Sequence, residues 1–276
     1  MSAIISSRVR LDRARQQSAC CALCEHRCGA NRLNGERGPC RAGAEARVFR
    51  HRVECGDELQ LIPSHLFYLS GCDLRCAFCI AEENAFDPRK GALLTGAWLR
   101  RAIPWGRAQG ATNIQWVGGE PTIHLPAIFE AMSACADLPP VIWKSDFHGT
   151  PEAFELLEGV VDVFVADFKF GNDACAERIA RVGNYVAVVT RNLCSVATSN
   201  DLIVRHLLLP GHFECCFRPV AQWLRDHLPR AKFSIRDGYL PRWRASRDPD
   251  LAGRISPQDV KQALNLAKDY GLNVIC

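Results

Sequence analysis

Long apolar runs are missing from this 276-residue chain: none approaches the roughly 20 apolar residues of a membrane-crossing helix, so no helical membrane anchor is expected. Residues 1–15 carry arginines but no apolar core of signal-peptide length, which predicts no export and a cytoplasmic location. Repeats of solenoid period and low-complexity tracts are also absent, excluding a solenoid or a compositional scaffold. Neither sign of charge dominates. With 34 Lys and Arg against 30 Asp and Glu, the net charge of +4 does not indicate a nucleic-acid partner. The stretch from Arg242-Trp243-Arg244 to Arg247 reads as a solvated basic loop. Hydrophobic residues at 48% and charged residues at 23% are those of an ordinary globular protein.

The chain changes character near residue 60. Residues 1–60 are rich in Cys, Arg and Gly, with little strand or helix periodicity after Ala22. Beyond Leu61, apolar runs alternate with amphipathic stretches, the pattern of repeated βα units. Strands are predicted near 66–70, 113–117, 141–144, 161–168, 202–209 and 232–236. Helices are predicted near 95–109, 122–136, 150–159, 173–182 and 214–228, while 185–190 fits either state. A last helix is marked by Ser256 as N-cap, Pro257 at its first position, Asp259 three on, and Gly271 after its final turn. Six units predict an α/β fold: a partial (β/α)6 barrel with a Cys-rich N-terminal extension. Its functional groups would gather at the C-terminal strand ends. The division expected is 1–60 for the metal-binding extension, 61–245 for the barrel and 246–276 for a C-terminal helical segment.

Cysteine is abundant. Fifteen in a chain expected to be cytoplasmic, and an odd number, argue against a disulfide framework and for metal binding. Cys72, Cys76 and Cys79 stand in the run Gly71-Cys72-Asp73-Leu74-Arg75-Cys76-Ala77-Phe78-Cys79, after the first predicted strand. Three thiolates at that spacing can hold three irons of a 4Fe–4S cube. Clusters usually take four Cys, so the fourth iron would be left to bind something else. Cys21, Cys24, Cys28 and Cys40 form a second set that could close a tetrahedral zinc site or hold an auxiliary cluster, with Cys20 and His26 as substitute ligands. Cys215 and Cys216 are either a substrate-facing thiol pair or ordinary buried cysteines. Cys135, Cys175, Cys194 and Cys276 are expected to be structural.

Other polar residues mark the strand ends. Gly118-Gly119-Glu120-Pro121 follows the second strand, where two glycines let the backbone approach a ligand closely. Asp167 ends the fourth strand, in Asp167-Phe168-Lys169. Arg205 lies inside the apolar fifth strand, where a guanidinium is costly unless paired and suits a carboxylate. Its neighbour His206 is expected to pack outside.

The CxxxCxxC loop, with Phe78 before its last Cys, resembles the signature of the radical S-adenosylmethionine (SAM) superfamily. The glycine pair resembles that superfamily's GGEP motif. The resemblance implies a 4Fe–4S cluster on Cys72, Cys76 and Cys79, whose open iron takes the amino and carboxylate groups of SAM. It also implies that Gly118, Gly119, Glu120 and Pro121 contact the SAM amino group, that Asp167 faces the ligand, and that Arg205 holds the SAM carboxylate. Over residues 20–245 the chain is similar to pyruvate formate-lyase activating enzyme-like proteins. The likeness is carried by 113–125, 160–173 and 206–216, and by the N-terminal cysteines with Gly35-Glu36-Arg37-Gly38 between them. One departure stands out. True activases end the third strand in an Asp-Thr-Asn-Gly-like turn that binds a monovalent cation, and Lys144 of Trp143-Lys144-Ser145-Asp146 takes the place of that acid. Its ammonium is expected to stand in for the cation.

The expectation is therefore a radical SAM enzyme, an oxidoreductase or transferase, reduced by a flavodoxin or ferredoxin. Its substrate is expected to be a small molecule rather than a protein. Aminocarboxypropyl transfer from SAM to a small soft acceptor, as in arsinothricin-type chemistry, is one alternative. Activation of a glycyl-radical partner protein is another. A zinc-dependent RNA-binding or scaffold protein is the non-enzymatic alternative, and it leaves the pairing of CxxxCxxC with GGEP unexplained.

Overall fold

The computed structural model describes residues 7–56, 58–198 and 200–275, so Cys276, expected to be structural, lies outside the described residues. The chain folds into two compact units. One is built from the chain up to Asp73 together with Glu83–Val163, the other from Leu74–Glu82 and the chain from Phe164 onward.

The first unit contains α1 (Ser7–Ala19), β1 (Arg47–Glu54), β2 (Ser64–Leu69), most of the short α2 (Glu82–Ala85), β3 (Ala92–Leu93), α3 (Gly96–Ala108), β4 (Asn113–Gly118), α4 (Leu125–Ser133), β5 (Val141–Ser145) and α5 (Pro151–Leu157). Its strands run in the order β3-β1-β2-β4-β5. β2, β4 and β5 are parallel, while β1 is antiparallel to both β2 and β3. The parallel strands are buried almost throughout, and Phe67, Trp116 and Trp143 are wholly inside, as expected of strands covered on both faces. Thr95 and Thr150 cap α3 and α5 through their hydroxyls. β1 is a strand that the reading of residues 1–60, with little periodicity beyond Ala22, did not expect. Its eight residues include three Arg, a His and a Glu, and only Val48 is fully buried. Pairing with β2, rather than an apolar pattern, makes it a strand.

The second unit holds most of β6 (Val163–Asp167), and α6 (Asp173–Ala180), α7 (Tyr185–Val196), β7 (Asp201–Leu207), α8 (Arg218–His227), β8 (Lys232–Arg236), α9 (Pro257–Asp269) and β9 (Asn273–Ile275). Its strand order is β6-β7-β8-β9, with β7, β8 and β9 parallel. The ambiguous stretch at 185–190 is helical. Tyr185, Val188, Val189, Asn192, Leu193 and Val196 are buried at the three-and-four spacing of a helix face. Ser256 and Asp259 close a capping box on α9, and Gly271 follows the helix with φ +67°. The three-residue β9 was not foreseen; it exists because β8 offers it a parallel partner. All six expected strands are present as β2, β4, β5, β6, β7 and β8. The chain is a mixed α/β fold with parallel strands and a Cys-rich N-terminal region.

Candidate cofactor site

In the first unit, β2 runs into Gly71 and Cys72. Gly119 follows β4 with its α-carbon against this turn: a Cβ there would come within 1.7 Å of the Gly71 carbonyl oxygen. The Gly119 and Glu120 amides donate to the Leu69 and Gly71 carbonyls at 2.7 and 2.9 Å. Gly118 has φ +118°, a conformation that favours glycine. The glycine pair is thus required by the backbone of the cysteine loop itself.

Glu120 is buried and its carboxylate is fully engaged. Oε1 accepts from the Thr122 amide (2.8 Å) and the Ser145 hydroxyl (2.9 Å), and Oε2 accepts from the Asp146 amide (2.9 Å). Burial and the charge of Asp73 nevertheless push its pKa up to about 7. The carboxylate joins the end of β4 to the turn after β5. In that turn Phe147 adopts φ +60° while fully buried, a conformation costly for an aromatic residue and held by the Ser145 and Asp146 side chains.

Lys144 ends in a nearly buried ion pair, Nζ 3.1 Å from Oε2 of Glu58. Glu58 carried no signal in the sequence. Asp73, the residue after Cys72, is also buried. Its Oδ2 lies 3.3 Å from His148 Nδ1, and its carbonyl lies 3.0 Å from His26 Nε2. Ligand atoms converge within 4.8 Å in two groups here, His26 with Asp73 and His148, and Cys72 with Asp73 and Asp146. The sequence reading missed Asp73, Asp146 and His148; only the position of Asp73 within the cysteine motif hinted at it.

In the second unit the cysteine loop is tied down by its backbone. The Arg75 and Ala77 amides donate to the Ala180 and Ile179 carbonyls at the end of α6, at 2.9 and 2.8 Å. Ala245 and Arg244 donate back to the carbonyls of Ala77 and Arg75. Cys76 is buried and Cys79 half-buried, and burial raises the Cys79 thiol. Phe78 packs edge-on to Tyr239 at 5.9 Å and near Phe170, so its ring anchors the loop. At the ends of β6 and β7, Asp167 stands between two cations: Lys169 Nζ is 2.5 Å from Oδ2 and Arg205 Nε 3.0 Å from Oδ1. The guanidinium fork of Arg205 is a group suited to a ligand carboxylate. His206 packs away as expected, its Nδ1 2.7 Å from the Phe168 carbonyl, and burial pushes its pKa down to about 4.

Of the N-terminal thiols, Cys21, Cys24 and Cys40 are buried and Cys28 is half-buried. Burial raises the first three. A tetrahedral zinc with Zn–S bonds near 2.3 Å sets sulfur–sulfur edges of about 3.8 Å. Cys24 and Cys40 share a small buried cluster with Ala42 and Ile123. Cys175, expected to be scattered, instead meets Cys215 with the sulfurs 3.8 Å apart.

Parallel strands with intervening helices, a three-cysteine loop after the first parallel strand and a glycine pair packed on it after the next define an α/β enzyme with a cysteine-borne cofactor. Residues 66–224 match the Radical SAM superfamily, and the chain belongs to that superfamily. An uncharacterized protein of Methanocaldococcus jannaschii is 34% identical over 261 residues, 92% of this chain and 76% of the relative. Streptococcus suis SuiB bound to S-adenosylmethionine shares the fold with a TM-score of 0.57 at 14% identity, over 74% of this chain and 47% of SuiB. HydG, a maturase of the FeFe-hydrogenase, shares it with a TM-score of 0.56 at 14% identity, over 98% of this chain and 63% of HydG. The chain thus spans less than two thirds of either solved protein. Membership makes it a radical SAM enzyme, implies a 4Fe–4S cluster and SAM, and requires an electron donor. Among the described residues no helix is long and apolar enough to cross a membrane.

Proposed function

We propose that Cys72, Cys76 and Cys79 hold a 4Fe–4S cluster with one open iron that takes SAM, the superfamily resemblance assigning the SAM ammonium to Gly118-Gly119 and its carboxylate to Arg205, with Asp167 beside it. The donor set fits: three thiols on one short loop, anchored by backbone hydrogen bonds. The observation that carries the reading is Gly119, whose missing side chain seats the GGEP turn against Gly71, next to Cys72. When bound, the cluster and SAM supply one-electron cleavage of a carbon–sulfur bond, giving a carbon radical.

This chain's own residues then bind and orient. Arg205, paired with Asp167 and assisted by Lys169, receives the SAM carboxylate. The strand-end backbone at Gly118-Gly119 offers carbonyls to the ammonium. Glu120 acts through the turn, because its three hydrogen bonds are spent within the chain. Lys144 is matched by Glu58, so the place of the activases' cation-binding acid is filled by an ion pair. That departure supports a small-molecule substrate over a glycyl-radical protein partner.

The test is anaerobic reduction of the cluster-loaded enzyme with SAM, with products identified by mass spectrometry. 5′-Deoxyadenosine and methionine are expected. Methylthioadenosine instead would replace this reading with aminocarboxypropyl transfer. Absence of SAM cleavage, with iron bound normally in Cys72→Ala, would overturn the cluster assignment.

A further inference from the structure

Outside the proposed cofactor residues, the second unit brings Cys175, His212 and Cys215 together, their sulfur and nitrogen ligand atoms all within 4.8 Å of one another. Cys175 Sγ is 3.8 Å from Cys215 Sγ, and Cys215 Sγ is 4.0 Å from Cys216 Sγ. A tetrahedral zinc site with Zn–S bonds near 2.3 Å needs sulfurs about 3.8 Å apart, which these pairs nearly match.

The surroundings hold that geometry. The amide of Asn172 faces this group, its Nδ2 2.6 Å from the Cys215 carbonyl oxygen, 3.3 Å from Cys175 Sγ and 3.9 Å from Cys216 Sγ. Gly171 lets the turn at Phe213–Phe217 approach, since a Cβ there would come within 2.4 Å of the Cys216 carbonyl oxygen. His212 is buried, and its Nδ1 lies 2.7 Å from the Pro210 carbonyl oxygen. Nδ1 is therefore the protonated nitrogen, which leaves Nε2 as the nitrogen able to take a metal. This is how metal-binding imidazoles are oriented. Nε2 now accepts from Arg178 at 3.0 Å, and the same guanidinium pairs with Asp248 at 3.1 Å.

We propose that Cys175, His212 and Cys215 bind a borderline-soft divalent cation of the zinc class, with Cys216 supplying the next sulfur. Thiols and imidazole are the donors zinc takes in Cys- and His-built sites. Each cysteine releases its proton as its sulfur–metal bond forms; neither sulfur nor metal changes oxidation state. Arg178 gives up its bond to Nε2 and stays on Asp248, its charge beside the anionic sulfurs. The ion then clamps the turn after β7 to the start of α6.

The experiment uses the full-length protein under reducing, anaerobic conditions and reads alkylation of individual cysteines by N-ethylmaleimide, peptide by peptide. Zn(II) at stoichiometric concentration is expected to slow labelling of the exposed Cys215 at least tenfold, and chelation to restore it. Labelling of the exposed Cys194 is expected to stay unchanged. His212→Gln is expected to weaken the protection by at least about tenfold, since loss of even an outer-shell partner costs 10–100-fold. Equal Cys215 labelling with and without Zn(II) in the unmodified protein overturns the proposal, whatever the variant does. Full protection in a folded His212→Gln removes the imidazole from the ligand set and likewise overturns it.

Discussion

Replacing Glu120 by Gln separates a residue that braces the site from one that touches the ligand. The carboxylate accepts from two backbone amides and one hydroxyl in a buried setting. A Gln amide keeps one acceptor oxygen and turns an NH2 group toward the third donor. With the oxygen in the place of Oε1, the Asp146 amide meets another donor and is left unsatisfied, which costs about 1–3 kcal/mol. The lost hydrogen bond to a charged acceptor adds a similar amount. Burial and the charge of Asp73 already push Glu120 up to about 7, so removing the charge returns part of this. The expected net loss is about 2–3 kcal/mol, read as a lowered urea midpoint of the protein without SAM. A shift below about 0.5 kcal/mol, within the range of an ordinary surface substitution, would refute the bracing role. Unchanged stability together with weaker SAM binding in equilibrium dialysis would move Glu120 onto the ligand.

Other perturbations have equally definite outcomes. Lys144→Met removes the nearly buried cation 3.1 Å from Glu58 and is expected to cost about 3–5 kcal/mol in chemical denaturation. Adding Glu58→Met to it should recover most of that loss; no recovery would mean the pair is not coupled. Arg205→Lys keeps the charge but loses the planar fork. It should weaken SAM binding at least about tenfold, the equivalent of one charged hydrogen bond, with the apo fold intact by circular dichroism. His65, His124 and His206 are pushed down to about 4, in each case chiefly by burial. Because these folded-state values lie below the ordinary 6.5, the stability is present above pH 6.5. It is lost as pH falls through the window to about 4, by about 3 kcal/mol for each group. A denaturation midpoint flat across that window would contradict the burial argument.

Much of the architecture is legible along the chain. Apolar runs marked β2, β4, β5, β6 and β7, because strands covered on both faces write their burial directly into composition, while β8 (KFSIR) is only partly buried. The Ser256-to-Asp259 capping box and Gly271 were local chemistry, readable within a few residues. β1 was not readable, since a strand of RVFRHRVE owes its existence to the neighbour it pairs with. The helix at Tyr185–Val196 was undecided for a related reason: β-branched residues tolerate either state, and packing of one face chose.

Function divides the same way. The CxxxCxxC loop and the glycine pair are contiguous motifs, and their resemblance to the superfamily's signatures pointed to it, because a cluster loop needs its thiols close along the backbone. Tertiary structure decided the use of each group. It occupied Glu120 with three internal donors, paired Lys144 with a glutamate 86 positions away, and brought Cys175 to within 3.8 Å of a cysteine 40 positions on. Contacts between side chains far apart in sequence depend on where strands and turns carry them, and no local pattern of residues records that.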